Sequence, residues 1–240
     1  ITNCPPAVVN EGRTEVGSTI SSTDANEQLL VSGYENKTIS VTDGASPWVL
    51  FVNTPAWVQG TGAQQATTST PKQPKQNIVT YTTTLTGGAF GGATRLVKQG
   101  EGILILPNVV EKHTGNTDVW NGTLQFDGTL QSSPLWLNRH TNLISNGGKF
   151  LAGITADYNA TIYPGGKENV GGITASTLKL GFGSRVVLDI NGTTIDQLNA
   201  DALTIEAKSW QYGPKYKAPI LQFAGDVNLP AGTYVLGAIG

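Results

Sequence analysis

Apolar and polar residues alternate over short runs along this chain, and each run is soon interrupted by Gly, Asn, Asp or Pro. A recurrence every three to four residues, the mark of an amphipathic helix, is almost absent. The pattern predicts strands at "QLLVSG", "KTISVTD", "WVLFVN", "NIVTYTTTL", "GILILP", "GTLQF", "LWLN", "STLKLGF", "SRVVLDI", "ALTIEA", "PILQFAG" and "GTYVLG". Only "TIDQLNADA", 194–202, could make a helical turn, and it is read as loop. Within a strand, alternation assigns faces. Leu124 and Phe126 share one side of "GTLQF" and Thr123 and Gln125 the other, while in "PLWLN" Leu135 and Leu137 point inward and Trp136 outward. Asn121-Gly122, Asp127-Gly128, Asn146-Gly147 and Asn191-Gly192 are turn signals that suit either hairpins or the corners of a coil.

From about residue 77 the segments recur at roughly 25 to 30 residues, with Leu124, Leu151, Leu178, Leu203 and Tyr234 as markers. Such spacing predicts a solenoid whose coils bury their inward faces on one another. A β-sandwich, with strands every 8 to 12 residues or so, would imitate it. The one compositional break is "QGTGAQQATTSTPKQPKQ", 59–76, read as a long exposed loop. The chain thus divides into 1–76, a β-rich segment forming a cap or a small sandwich, and 77–240, the solenoid.

"KQGEGILILPNVVEKHTGNTDVWNGTLQF", 98–126, resembles the autotransporter-associated β-strand repeat. The residues that match its pattern are Lys98, Gly100, Gly102, Leu104, Leu106, Thr114, Gly115, Thr117, Val119, Gly122, Thr123 and Leu124. "DYNATIYPGG", 157–166, is similar to a turn of the same family, with Asn159 where glycine is usual, and the strand series over 171–206 and the ending "AGTYVLGAIG" continue the likeness over about 90–240. The resemblance implies an all-β, right-handed parallel β-helix in a protein exported to the bacterial surface or secreted. On that expectation Leu104, Leu106 and Leu124 line the interior and "NVVEKHTGNTDV" is a polar excursion between coils.

Composition narrows the partners. Only 13% of residues are charged, against roughly 25% in an average domain. With Lys+Arg at 15 and Asp+Glu at 17, nothing concentrates phosphate backbones, and nucleic acid is not an expected partner. No apolar stretch approaches the roughly 20 residues that span a bilayer, so no membrane insertion of this segment is expected. Cys4 stands alone, without a disulfide or zinc partner, and the absence of Met suggests a mature or excised piece.

Catalytic chemistry has little to draw on. His113 and His140 are the only histidines and are expected in exposed loops; no nucleophile elbow or metal-binding helix accompanies them. A polysaccharide lyase or glycoside hydrolase would use carboxylates such as Asp118, Asp127, Asp157, Asp189, Asp196 or Asp201 with Arg139, Arg185 or Lys179, although most of these acids sit beside Gly, Asn or Thr as turn residues do. No metal or other cofactor is implied. Flat aromatic rings beside amides and hydroxyls suit sugars. Trp136, Trp120 and, on the basic loop "KSWQYGPKYKAP", Trp210, Tyr212 and Tyr216 are therefore the candidate glycan contacts. The function expected from these features is a non-catalytic stalk, adhesin or glycan-contacting segment whose partner is a polysaccharide or glycoprotein. A carbohydrate-active enzyme fragment and a β-sandwich carbohydrate-binding module are the alternatives.

Overall fold

The computed structural model describes residues 12–59, 77–206 and 218–227. It is all-β, without a helix among the described residues, and winds as a parallel β-solenoid of about eight turns. One face stacks Thr14–Glu15, Gln28–Ser32, Val49–Asn53, Arg95–Gln99, Thr117–Val119, Leu135–Leu137 and Ile154–Ala156, then the C-terminal halves of Gly172–Leu180 and Gln197–Ile205. A second face stacks Thr19–Ile20, Lys37–Val41, Thr82–Gly87, Ile103–Ile105, Thr123–Gln125, Asn142–Ser145, Thr161–Pro164, Arg185–Gly192 and Ile220–Val227. A short third face, made by Val110–Glu111, Thr129–Leu130 and Lys149–Phe150, merges into the start of Gly172–Leu180.

Among the described residues all ladders are parallel except Ala56–Gln59 with Asn77–Thr80 and the small turn joining Arg185–Gly192 to Thr194–Ile195. A β-sandwich would be built from antiparallel pairs, so the solenoid reading holds. The strands on either side of the Thr/Gln-rich stretch pair directly with each other, Val49–Asn53 with Arg95–Gln99 and Lys37–Val41 with Thr82–Gly87. The first turns of the solenoid therefore lie within the β-rich N-terminal segment. Of the stretch itself, 60–76 lies outside the described residues.

The coil length differs from the spacing expected from sequence. Leu96, Thr117, Leu135, Ile154, Leu178 and Leu203 follow one another in register, at intervals of 21, 18, 19, 24 and 25 residues. Of the sequence markers, Leu178 and Leu203 are true register partners, whereas Leu124 belongs to the second face and Leu151 is exposed just past a third-face strand. Tyr234 lies outside the described residues. The shorter coils carry third-face strands of only two residues, too short to show a period. Residues 194–202, read as loop, are instead strand: Thr194–Ile195 and most of Gln197–Ile205.

Leu104, Leu106 and Leu124 are fully or nearly buried, as alternation requires, and stack with Leu85, Leu143 and Ile162 in the interior. Burial of each such side chain contributes about 1.5–3 kcal/mol. "NVVEKHTGNTDV" is not the solvent excursion that was expected. It supplies a third-face strand and Thr117–Val119, with Glu111, His113 and Thr117 fully buried among them.

Corners are held by close backbone stacking. Gly122 has φ of 76°, and a Cβ there would strike the Gly100 and Gly102 carbonyls of the preceding turn. Asn159 also takes a left-handed φ, 55°, which Asn tolerates better than most residues. Gly122→Ala is expected to cost about 2–4 kcal/mol, backbone strain and overpacking together. Gly147, at φ 84° with open space around it, supplies the control. Gly147→Ala should cost only about 1–2 kcal/mol. Urea unfolding midpoints of the two variants check this, and equal shifts would show that stacking at the corner is immaterial.

At the C-terminal end, Leu178, Leu188, Leu203, Ile205, Ile220 and Leu221 bound an apolar recess of about 310 Å3. Ile205, Leu221 and Phe223 are exposed there, although their partners one turn earlier, Leu180, Val186 and Leu188, are core. The recess is thus the continuation of the solenoid interior past the last described turn.

Candidate functional site

The outward side of the first face carries the aromatic residues that sequence singled out. Four strands there place Val97, Asp118, Trp136 and Thr155 in one register row, with Phe51 before Val97 and Lys179 after Thr155. Leu135 and Leu137 flank Trp136 and face the core, so the pleat drives the indole outward, where it is 46% exposed. Trp120 follows Val119 just past the end of the neighbouring strand, turns out by the same alternation and is 43% exposed. One strand and two residues separate the two indoles, roughly 8 Å between their Cα atoms. Asn138 and Asp157, both half-buried, follow Trp120 on the next strands.

Two ion pairs lie on this face. Arg95 reaches diagonally to Asp118, Nε donating to Oδ2 at 2.6 Å. Asp118 is nearly buried, in the middle of a strand, so the turn role expected of it is corrected: it holds the arginine. Lys179 pairs with Glu206 at 2.8 Å. Arg13 lies over the Phe51 ring at 3.8 Å, and Arg139 lies 5.9 Å from the ring of Tyr158, which His140 meets edge-on. His140 is exposed at a corner with φ of 59°, as a loop histidine should be.

His113 is not the exposed loop histidine expected from sequence. It is fully buried on the third side of the coil. Ser133 Oγ donates to the Gly115 carbonyl at 2.7 Å and so accepts from Thr117 Oγ1 at 2.9 Å. Thr117 in turn accepts from His113 Nε2 at 3.1 Å, which sets the proton on Nε2. His113 Nδ1 faces Glu111 Oε2 at 3.6 Å, and that oxygen accepts the Phe90 N–H at 2.7 Å. The four side chains link successive turns, but their burial closes them to a substrate.

Three of the other candidate acids hold backbone N–H groups. Asp127 accepts the Asn146 N–H across a corner, the turn chemistry expected of it. Asp189 and Asp196 are buried rather than exposed at turns: Asp189 accepts from the Glu168 N–H, and Asp196 from the N–H groups of Gly171 and Asp189. Burial pushes Asp196 up to about 6, against the downward pull of its two N–H donors. Asp201 is exposed on its strand. Among the described residues no group of three or more His, Cys, Asp or Glu could hold a metal.

Lys98 lies on the inward side, in register between Val52 and Val119, and is 1% exposed. Its Nζ donates to the carbonyls of Gln99, Gly100 and Asn121 at 2.7, 2.6 and 3.2 Å. Burial pulls it down to about 7, with Glu101 working the other way.

Of the expected contacts, then, Trp120 and Trp136 lie together on one face, while Trp210, Tyr212 and Tyr216 lie outside the described residues. Sequence reasoning did not find Phe51 or Arg95. Both lie in strands apolar at consecutive positions, "VLFVN" and "RLVKQ", where alternation cannot assign a side. No protein family, curated protein or solved structure matches this chain.

Proposed function

We propose that this chain is a non-catalytic β-solenoid segment of an exported bacterial surface protein, and that the outward side of its first face contacts carbohydrate. The observation that carries the glycan reading is the pair of half-exposed indoles, Trp136 within one strand of the sheet and Trp120 just past the end of its neighbour. Rings held in this way offer large apolar faces with little ordering cost, and Asn138, Asp157 and Thr155 beside them supply polar partners for hydroxyls. The export reading rests on the likeness of 98–126 to the autotransporter-associated repeat. An enzymatic role would draw on carboxylates free to move protons, and four of the six candidates, Asp118, Asp127, Asp189 and Asp196, are committed to an arginine or to backbone N–H groups.

Trp136→Ala is expected to weaken retention in polysaccharide affinity electrophoresis about tenfold or more. Trp120→Ala should act in the same direction, and Lys149→Ala, on the third face, should have no effect. Unchanged retention in both tryptophan variants would reject the site. Release of reducing or unsaturated sugar from a polysaccharide panel would overturn the non-catalytic reading.

A further inference from the structure

The glycan reading leaves open which carbohydrate this face accepts, and its electrostatics separate two classes. An acidic polysaccharide needs cations free to meet carboxylate or sulfate groups. Around Trp120 and Trp136 the cations are already engaged: Arg95 with Asp118, and Lys179 with Glu206. Arg139 lies toward the Tyr158 ring at the corner. Asp157, in the row of Trp120 and Asn138, adds a negative group that no cation is shown to neutralise. A polyanion would meet an Arg95 whose charge Asp118 already neutralises through Nε, and would meet Asp157 besides. A neutral sugar needs no free cation. It stacks on the indoles and hydrogen-bonds to groups that remain hydrated in its absence.

From these observations, and resting on the proposal that this face contacts carbohydrate, we infer that the site selects uncharged polysaccharides and rejects acidic ones, with the Arg95–Asp118 pair as the discriminating element. Asp118→Asn keeps the shape of the side chain and removes its charge, so the half-exposed Arg95 guanidinium becomes available beside Trp136.

The test is affinity electrophoresis of the full chain against neutral polymers (β-glucan, galactomannan, xylan) and acidic ones (polygalacturonate, alginate, dermatan sulfate), each at low and high salt. The wild type should be retained by at least one neutral polymer, insensitively to salt and about tenfold more strongly than by any acidic one. Asp118→Asn should gain salt-sensitive retention by acidic polymers, and adding Arg95→Gln should abolish that gain. Stronger wild-type retention by an acidic polymer, or no gain in Asp118→Asn, overturns the selectivity while leaving the carbohydrate reading intact. Retention by none of the polymers overturns both.

Discussion

Lys98→Ala is expected to lower the unfolding free energy by about 3–5 kcal/mol at neutral pH, among the largest effects of any single substitution in this chain. Two losses combine. The four-carbon stem fills interior space between Val52 and Val119, and its removal leaves a cavity. The Nζ also meets three carbonyls at the corner where Gly100, Gly102 and Gly122 stack, and no other side chain is shown to reach them. Urea unfolding followed by far-UV circular dichroism measures the change. A loss below about 1 kcal/mol would mean that solvent satisfies the corner in place of the lysine.

The same residue predicts a pH dependence. Folded Lys98 titrates at about 7 and its unfolded counterpart at 10.5, so between these values the unfolded chain binds more protons and stability rises with pH. The contribution is complete above 10.5, is lost as pH falls toward 7, and is flat below. Lys98→Met fills much of the same space without titrating. The difference between wild type and Lys98→Met should therefore grow in favour of wild type from pH 7 to 10. A constant difference would contradict the burial-driven depression.

How much of this was legible in the sequence depended on how far each signal extends. Leu104, Leu106, Leu124, Leu135 and Leu137 were assigned to the interior because alternation over three to five residues is enough to set a side. Trp136 was placed outward by the same rule. Glu111 and Lys98 were not, because the third-face strand is two residues long and because a buried lysine or glutamate is recognised only by the carbonyls and N–H groups around it, which come from other turns. The Arg95–Asp118 pair was hidden for a related reason: the partners are 23 residues apart and meet only through the register of adjacent coils. Solenoid sequences thus announce their interior leucines and conceal their interior charges.

The buried Glu111–His113 pair gives the second large effect. Glu111→Ala is expected to cost about 3–5 kcal/mol, because it orphans the Phe90 N–H and leaves His113 Nδ1 facing an apolar gap in the core. His113 Nδ1 and Glu111 Oε1 are buried without a hydrogen-bond partner, Nδ1 lying 3.6 Å from Oε2. Glu111→Gln separates charge from hydrogen bonding. Its amide oxygen can still accept the Phe90 N–H, and its NH2 can donate to Nδ1 of a neutral His113 whose Nε2–H continues to Thr117 and Ser133. Glu111→Gln should therefore retain most of the stability that Glu111→Ala loses, and His113→Ala should resemble Glu111→Ala. If the glutamine variant falls as far as the alanine variant in urea unfolding, the charge of Glu111 beside His113, rather than its hydrogen bond to the Phe90 N–H, is what holds these turns together.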